Sequence, residues 1–139
     1  MGKRTNEAFI QEYSELDKLC LKKFGVEKMG VTEYITRLNN ARFAPSRDDV
    51  LPRLVRLRNL KNSVTHNEAR PSPSEITKSD IKWLHSFSRS VEKKRDPLSL
   101  YLKRAYRHAR LRKARKILVV AFLVAVAIAA GVVAVMAFI

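Results

Sequence analysis

The chain has 139 residues and a formal net charge of +15, from 28 Lys and Arg against 13 Asp and Glu. That length allows one small domain and one appendage, and the positive balance predicts attraction to polyanions such as RNA, DNA or anionic lipid. The single cysteine, Cys20, excludes an intrachain disulfide. Its position on an apolar helical face predicts a buried thiol. The polar residues after Met1 predict that the chain begins without a signal peptide.

The first two predicted helices each show one apolar face. The first runs from about Thr5 to Phe24, because its apolar residues recur at intervals of three and four. The second is a short helix from Thr32 to Leu38, in which the Thr32 hydroxyl caps the first turn and the apolar Val31 precedes it. The apolar face of the first helix consists of Phe9, Tyr13, Leu16 and Cys20, with Leu19 beside them.

The third predicted helix begins near Asp49 and ends at about His66. With Asp49 as the cap, Pro52 falls in the first turn, where its missing N–H costs little. Its predicted buried stripe consists of Val50, Leu54, Leu57 and Val64, joined by Leu51 and Leu60.

Two further helix starts are visible in the sequence. The fourth helix is introduced by Thr77 or Ser79, and Thr77 and Asp80 have the spacing of a capping box. The fifth begins with Asp96 as the cap and Pro97 at the first position. No later residue breaks the helical pattern, so we expect one nearly continuous helix from there to the C-terminus.

The segment Ile117–Ile139 contains no charged side chain. As a helix its 23 residues would extend roughly 34 Å, enough to cross a hydrocarbon core of about 30 Å. The rest of the chain is too small to surround a helix that is apolar on all sides. The segment therefore predicts a single transmembrane helix that resembles a tail anchor. The spacing of Ala121, Ala125 and Ala129 favours pairing of two such helices.

Eight basic side chains and no acid lie just before this segment, over residues 103–116. By the positive-inside rule they place residues 1–116 in the cytoplasm, so the protein is predicted to be single-pass. The predicted organisation is a helical domain over 1–102, a basic juxtamembrane stalk over 103–116 and a membrane helix over 117–139. The residues predicted to contact anionic lipid head groups are Arg110, Arg112, Lys113, Arg115 and Lys116.

Several classes of site find no support in the sequence. The three histidines and one cysteine lack the paired spacing of metal ligands. The four glycines are scattered and form no phosphate-binding loop. No Ser-His-Asp arrangement can be argued. We therefore expect no metal, no cofactor and no small-molecule substrate.

A cluster of polar side chains lies at the end of the third predicted helix. Arg58, Asn62 and His66 are four residues apart and share one face, with Lys61 beside them. These four are the candidate catalytic residues. An alternative is purely structural: His66 ends the helix, and its imidazole caps the last carbonyls or pairs with Glu68.

The segment from Leu60 to Glu68, Leu-Lys-Asn-Ser-Val-Thr-His-Asn-Glu, resembles the signature of HEPN-like domains. In that signature an Arg, a polar residue and a His follow one another on one helix. The resemblance covers roughly residues 8–102 and extends to a group of small uncharacterised bacterial proteins in or near that superfamily. The position of the Arg is occupied here by Lys61, which lacks the bidentate fork of a guanidinium.

The resemblance implies a compact bundle of four or five helices that forms a homodimer. Many HEPN-like domains are metal-independent RNases of defence and toxin systems, in which Arg and His from two protomers meet in a cleft. The His then transfers protons, and the Arg stabilises charge on the scissile phosphate. For this chain the resemblance assigns those roles to His66 and to Lys61 or Arg58, with Asn62 between them.

The predicted fold is thus all-α: a small HEPN-like bundle, a basic helical stalk and one C-terminal transmembrane helix. Three functions are open. The first is a membrane-anchored binding or interaction module in a defence or stress context, with RNA as an open partner. The second is a metal-independent endoribonuclease tethered to the membrane, and the third is a structural membrane adaptor. The first is preferred because Lys61 stands where the catalytic pattern has Arg. Whether the protein is an enzyme is left open.

Overall fold

The computed structural model describes residues 2–66 and 76–139, which form helices and no strand. The predicted all-α fold class is therefore confirmed. The chain divides into two compact units, Met1–Tyr101 and Leu102–Ile139. The five helices, in chain order, are α1 (Gly2–Phe24), α2 (Gly30–Asn40), α3 (Arg47–His66), α4 (Lys78–Glu92) and α5 (Pro97–Phe138).

The core of the first unit lies between α1 and the helices packed around it. Helix α1 contacts α2 and α4, and α2 contacts α3. The predicted apolar face of α1 is buried, whereas the stripe of α3 is narrower than predicted, with only Leu54 and Leu57 fully buried. Other large buried residues include Tyr34 and Leu38 of α2, Leu84, Phe87 and Val91 of α4, and Leu98 of α5.

Helix α2 begins at Gly30, so the prediction that Thr32 caps it is wrong. The cap position is Met29, which has a left-handed backbone (φ 58°, ψ 48°) and forms no side-chain cap hydrogen bond. The N–H of Val31 in the first turn donates instead to Oδ1 of Asp17 on α1, at 2.9 Å. A Cβ added to Gly30 would clash with the backbone of Asp17. The start of α2 is therefore set by its packing on α1.

Helix α3 begins at Arg47, two residues before the predicted start at Asp49. The N–H of Val50 already donates to the carbonyl oxygen of Ser46 at 3.0 Å. Pro52 consequently lies inside the helix, whereas the sequence had predicted it to lie in the first turn. Because proline has no N–H, one hydrogen bond of the helical ladder is missing at this position.

The predicted starts of α4 and α5 are confirmed. Thr77 and Asp80 form a reciprocal capping box, with Asp80 N–H donating to Thr77 Oγ1 at 3.2 Å and Thr77 N–H donating to Asp80 Oδ2 at 3.0 Å. At α5, the Ser99 N–H donates to Oδ2 of Asp96 at 3.2 Å, and Pro97 is the first helical residue. Each carboxylate satisfies a helix N–H that would otherwise lack a partner.

Asp96 is also the centre of a buried polar network. Its side chain receives hydrogen bonds from Lys23 Nζ of α1 at 3.0 Å, from the Tyr34 hydroxyl of α2 at 2.8 Å and from the Ser99 hydroxyl. Burial by itself would raise the pKa of Asp96, but the hydrogen bonds from Ser99, Tyr34 and Lys23 outweigh it and lower the pKa. The carboxylate therefore joins the start of α5 to α1 and α2.

The second unit consists of the remainder of α5. Helix α5 is unbroken from Pro97 to Phe138, as predicted from the lack of a later helix breaker. Its part over 103–116 carries the eight basic side chains, all of them exposed. The apolar part that follows is long enough to cross a membrane, and none of its residues is buried.

Candidate functional site

The candidate residues of α3 lie on two different parts of its surface. Arg58 and Lys61 are half-buried, whereas Asn62 and His66 are exposed. Arg58, Lys61 and Asn62 line an open groove of about 480 Å³, and His66 is not among the residues that line it. The structure therefore brings together three of the four predicted site residues and leaves His66 apart from them.

The opposite wall of this groove comes from α1, which sequence reasoning did not connect to the site. Tyr13, Ser14, Asp17 and Lys18 lie on this wall, and the start of α2 closes the groove with Met29 and Thr32. The sequence feature that could have indicated this wall is the four-residue spacing of two pairs of residues beside the buried face of α1. This spacing places the two members of each pair on the same side of the helix. Those pairs are Tyr13 with Asp17 and Ser14 with Lys18.

The two cations of the α3 wall share the groove with one carboxylate, that of Asp17 on the opposite wall. No described carboxylate lies within ion-pair distance of Arg58 or Lys61. Lys18 on the opposite wall pairs with Glu15 at 3.7 Å, and Asp17 already accepts the N–H of Val31. The groove therefore presents two positive charges that an anionic ligand can reach.

Tyr13 is the one aromatic residue on the groove wall. Its burial, with a smaller contribution from Asp17, raises the pKa of the phenol, and the positive charge of Arg58 opposes this change. The hydroxyl consequently stays protonated at neutral pH and acts as a hydrogen-bonding group rather than as a base.

Other arginines of α3 are held in structural contacts. The Arg56 guanidinium donates to both carboxylate oxygens of Asp80, at 2.9 and 3.2 Å. Arg53 lies 3.9 Å from the same carboxylate and 4.9 Å from the ring centre of Trp83. Burial alone would raise the pKa of Asp80, but the hydrogen bonds from Arg56 and Thr77 lower it. These cations join α3 to α4 and stand apart from the groove.

His66 is the last residue of α3 and is exposed. Its predicted pairing partner, Glu68, lies outside the described residues. The buried thiol of Cys20 is confirmed, and burial, followed by the charge of Asp17, raises the pKa of Cys20 to about 12. Over 2–66 and 76–139, no three His, Cys, Asp or Glu side chains are placed to hold a metal ion.

The five residues predicted to contact lipid are exposed on the second unit. They stand on α5, immediately before the apolar stretch that begins at Ile117. Nothing in that unit neutralises them, because residues 102–139 contain no Asp or Glu. They are Arg110, Arg112, Lys113, Arg115 and Lys116.

Fold and site together define an all-α protein with a basic polar groove and a C-terminal helix long and apolar enough to cross a bilayer. Residues 7–120 match a family of unknown function, DUF6548, and the chain belongs to this family. The matched residues include the basic part of α5 as well as nearly all of the helical bundle. No curated protein and no solved structure matches the chain.

Proposed function

We propose that this protein is a membrane-attached binding module whose groove between α1 and α3 takes an anionic partner. The observation that carries the proposal is the pair Arg58 and Lys61, which line the groove and form no ion pair with a described carboxylate. Hydrogen bonds from charged donors to phosphate or carboxylate are roughly twice as strong as neutral ones. Half-burial of both side chains favours such bonds further, because solvent screens them less.

The attachment is assigned to the apolar part of α5. The helix is long enough to span a bilayer, and the exposed basic residues before it favour the cytoplasm for the bundle. Arg110, Arg112, Lys113, Arg115 and Lys116 contact anionic head groups in this proposal, at about 1 kcal/mol for each side chain near the surface. Two anchored copies form a homodimer, which the small-residue spacing of the span favours.

The proposed partner is RNA held through its phosphates. Ser14, Thr32 and Asn62 add neutral hydrogen-bonding groups to the two cations of the groove. No aromatic ring is exposed along the groove for base stacking, because Tyr13 is buried. Binding therefore depends on the nucleic-acid backbone, with little preference for sequence and a strong dependence on salt.

RNA cleavage is the second candidate, and its support is the HEPN-like resemblance together with the position of Lys61 and Asn62 in the groove. A phosphate bound there would have a cation beside it, as cleavage needs. His66, the proton-transfer residue that the resemblance implies, does not line the groove of the same copy. Cleavage would consequently require His66 from a second copy.

The groove is tested with the full-length chain in nanodiscs of zwitterionic lipid. Such lipid does not compete with RNA for the basic side chains of the protein. Changing both Arg58 and Lys61 to Gln should weaken binding of a labelled single-stranded RNA at least about tenfold. It should also reduce the salt slope by about 1.4, since each neutralised phosphate contributes about 0.7 for single strands. Fluorescence anisotropy over a salt series measures both quantities.

The matched control changes Lys78 and Lys82 to Gln, since both are exposed on α4 and the net charge falls equally. Equal losses in the two double variants would reject the groove and leave only nonspecific attraction. Binding of an acidic peptide without binding of RNA would assign the groove to a protein partner. Cleavage of RNA in chelator that His66→Ala abolishes, with folding intact, would establish the enzyme. If neither RNA nor the acidic peptide binds, the structural membrane adaptor is the remaining function.

A further inference from the structure

Asp17 places a carboxylate in the same groove as Arg58 and Lys61. The acid stands on α1 and the two cations stand on α3, so the groove carries opposite charges on opposite walls. Asp17 forms no ion pair with any described cation, and neither Arg58 nor Lys61 forms one with a described carboxylate. The groove therefore holds a negative group and two positive groups apart, without a direct contact between them.

The position of the Asp17 carboxylate is fixed by the start of α2. Its Oδ1 accepts a hydrogen bond from the Val31 N–H at 2.9 Å. Helix α2 lies so close that a Cβ added to Gly30 would clash with the Asp17 backbone. The second carboxylate oxygen, Oδ2, accepts no hydrogen bond from a described residue. Asp17 consequently presents one fixed and unused acceptor to whatever enters the groove.

Both kinds of charge act on the same point of the groove. Burial raises the pKa of the Tyr13 phenol most, Asp17 raises it further, and Arg58 lowers it. The phenol therefore lies within electrostatic reach of one charged residue from each wall. The groove, at about 480 Å³, has the volume of a site for a small molecule. A group of that size, such as one nucleotide of a single strand, would meet both walls.

An anion alone does not satisfy this groove. Phosphate oxygens accept hydrogen bonds from Arg58 and Lys61, but they repel the Asp17 carboxylate and offer it no donor. A matching ligand carries a phosphate and, beside it, a hydroxyl or amino donor. In RNA every nucleotide has such a donor, the ribose 2′-OH, and DNA lacks it. Base amino groups are donors as well, but only some bases carry them. The 2′-OH is therefore the donor that an RNA of any sequence supplies.

We propose that Asp17 accepts a hydrogen bond from a ribose 2′-OH while Arg58 and Lys61 hold the adjacent phosphate, so that the groove selects RNA over DNA. The inference rests on the proposed function, since it needs a nucleic-acid strand in this groove. A DNA strand would bring its phosphates to the same cations and leave Asp17 facing only like charge. Sites that hydrogen-bond a substrate hydroxyl discriminate strongly against the analogue that lacks it. Because Asp17 is half-buried and water still reaches it, we expect a preference of about tenfold.

The test compares single-stranded oligomers of one sequence, without uracil or thymine, on the full-length chain in nanodiscs of zwitterionic lipid. The oligomers are RNA, DNA, 2′-fluoro RNA and 2′-O-methyl RNA, and fluorescence anisotropy gives the Kd of each. The 2′-fluoro oligomer keeps the charge and the sugar shape of RNA but has no hydroxyl donor. We expect RNA to bind about tenfold more tightly than each of the others. Equal Kd values for RNA and 2′-fluoro RNA would overturn the inference.

Asp17→Asn keeps an oxygen for the Val31 N–H and removes the negative charge. We expect this variant to bind DNA more tightly than the parent chain does, and its Kd values for RNA and DNA to agree within about twofold. Glu7→Gln is the matched control, because Glu7 is exposed on α1, is not among the residues that line the groove and carries the same charge. The control should keep the preference of the parent chain. An undiminished preference in Asp17→Asn would overturn the inference.

The inference and the proposed function fail in different ways. If RNA and DNA bind equally, and changing both Arg58 and Lys61 to Gln weakens both, the groove binds nucleic acid but the role of Asp17 is overturned. If Asp17→Asn weakens both equally and the parent chain shows no preference, Asp17 contacts a base or supports the shape of the groove, and the inference is again overturned. If no oligomer binds, the proposed RNA partner and the inference are both overturned.

Discussion

At the scale of single residues, Asp96 has the most consequential environment in the bundle. It is completely buried, and three side chains from α1, α2 and α5 donate hydrogen bonds to it. Its charge is balanced by Lys23, whose side chain is itself only 18% exposed. Removing either charge would therefore leave the other in a poorly solvated position.

We predict that Asp96→Asn lowers the free energy of unfolding by about 3 kcal/mol, because it leaves the Lys23 ammonium without its counter-charge. Denaturant unfolding of the full-length chain in micelles, followed through Trp83 fluorescence, measures this value. Asp49→Asn is the matched control on an exposed residue, and we expect a change of less than about 1 kcal/mol. Similar losses in the two variants would show that burial of the network contributes nothing.

The same variant has a second readout in acid. The folded pKa values of Asp96 and Asp80 lie below the ordinary 3.8, so the folded state binds fewer protons than the unfolded state. Stability from these groups is complete above pH 3.8 and is lost as the pH falls through the folded values. Asp96→Asn should consequently lose less stability than the parent chain between neutral pH and pH values below 3.8.

The contacts that could be predicted from the sequence are those between residues close together in the chain. The Thr77–Asp80 box and the Asp96–Pro97 start were predicted because each motif lies within three or four residues. The contacts of Asp96 with Lys23 and Tyr34 join residues 73 and 62 positions apart, and no local pattern indicates them. Asp96 was therefore predicted as a helix cap, but its buried contacts with two other helices were not.

At the scale of helices, Gly30 determines how closely α1 and α2 approach. A Cβ at this position would lie 2.7 Å from the backbone nitrogen of Leu21 and 3.0 Å from Cβ of Cys20. We predict that Gly30→Ala destabilises the bundle by about 1–3 kcal/mol, because backbone atoms cannot move aside as a flexible side chain can. Trp83 fluorescence during denaturant unfolding measures the loss.

Gly131 supplies the control for this prediction. Apart from the neighbouring residues and backbone of its own helix, no heavy atom lies within 4 Å of a Cβ added there, and the residue belongs to the second unit. Gly131→Ala should leave the unfolding of the bundle unchanged. A Gly30→Ala chain as stable as the Gly131→Ala chain would mean that α1 and α2 separate without cost.

Helix existence was predicted better than helix starts, for a physical reason. The spacing of apolar residues indicated the helices of the bundle, because burial of one face depends on spacing, and the Asp96–Pro97 start with no later helix breaker indicated α5. The start of α2 depends on Asp17 from another helix and on a left-handed Met29, a residue type that gives no turn signal. For the same reason the α3 wall of the groove was predicted and its α1 wall was not.

At the scale of the whole molecule, apolar spacing and helix caps predicted the all-α fold, and the lack of a later helix breaker predicted the unbroken final helix. Topology across a membrane remains a prediction from charge. We expect a reporter fused to the N-terminus to be read on the cytoplasmic side. Changing Arg110, Arg112, Lys113, Arg115 and Lys116 to Gln should reduce that preference.

A control variant separates the effect of the number of removed charges from the effect of their position. Five Gln substitutions within the bundle, more than 20 residues from the apolar segment, should leave the orientation unchanged, because the rule counts charges near the ends of a span. An extracytoplasmic N-terminus in the parent chain would exclude the predicted topology.

The junction at Asp96 also has a mechanical consequence. Tension along the chain from residues 102–139 reaches the bundle through the first turn of α5, since that turn directly precedes them in the same helix. There the carboxylate is bonded to Lys23 and Tyr34, which belong to different helices. The load is therefore shared by α1 and α2 from the start, and several hydrogen bonds must break together before α5 can be pulled away. The first turn of α5 thus has, in one buried aspartate, a joint that resists pulling.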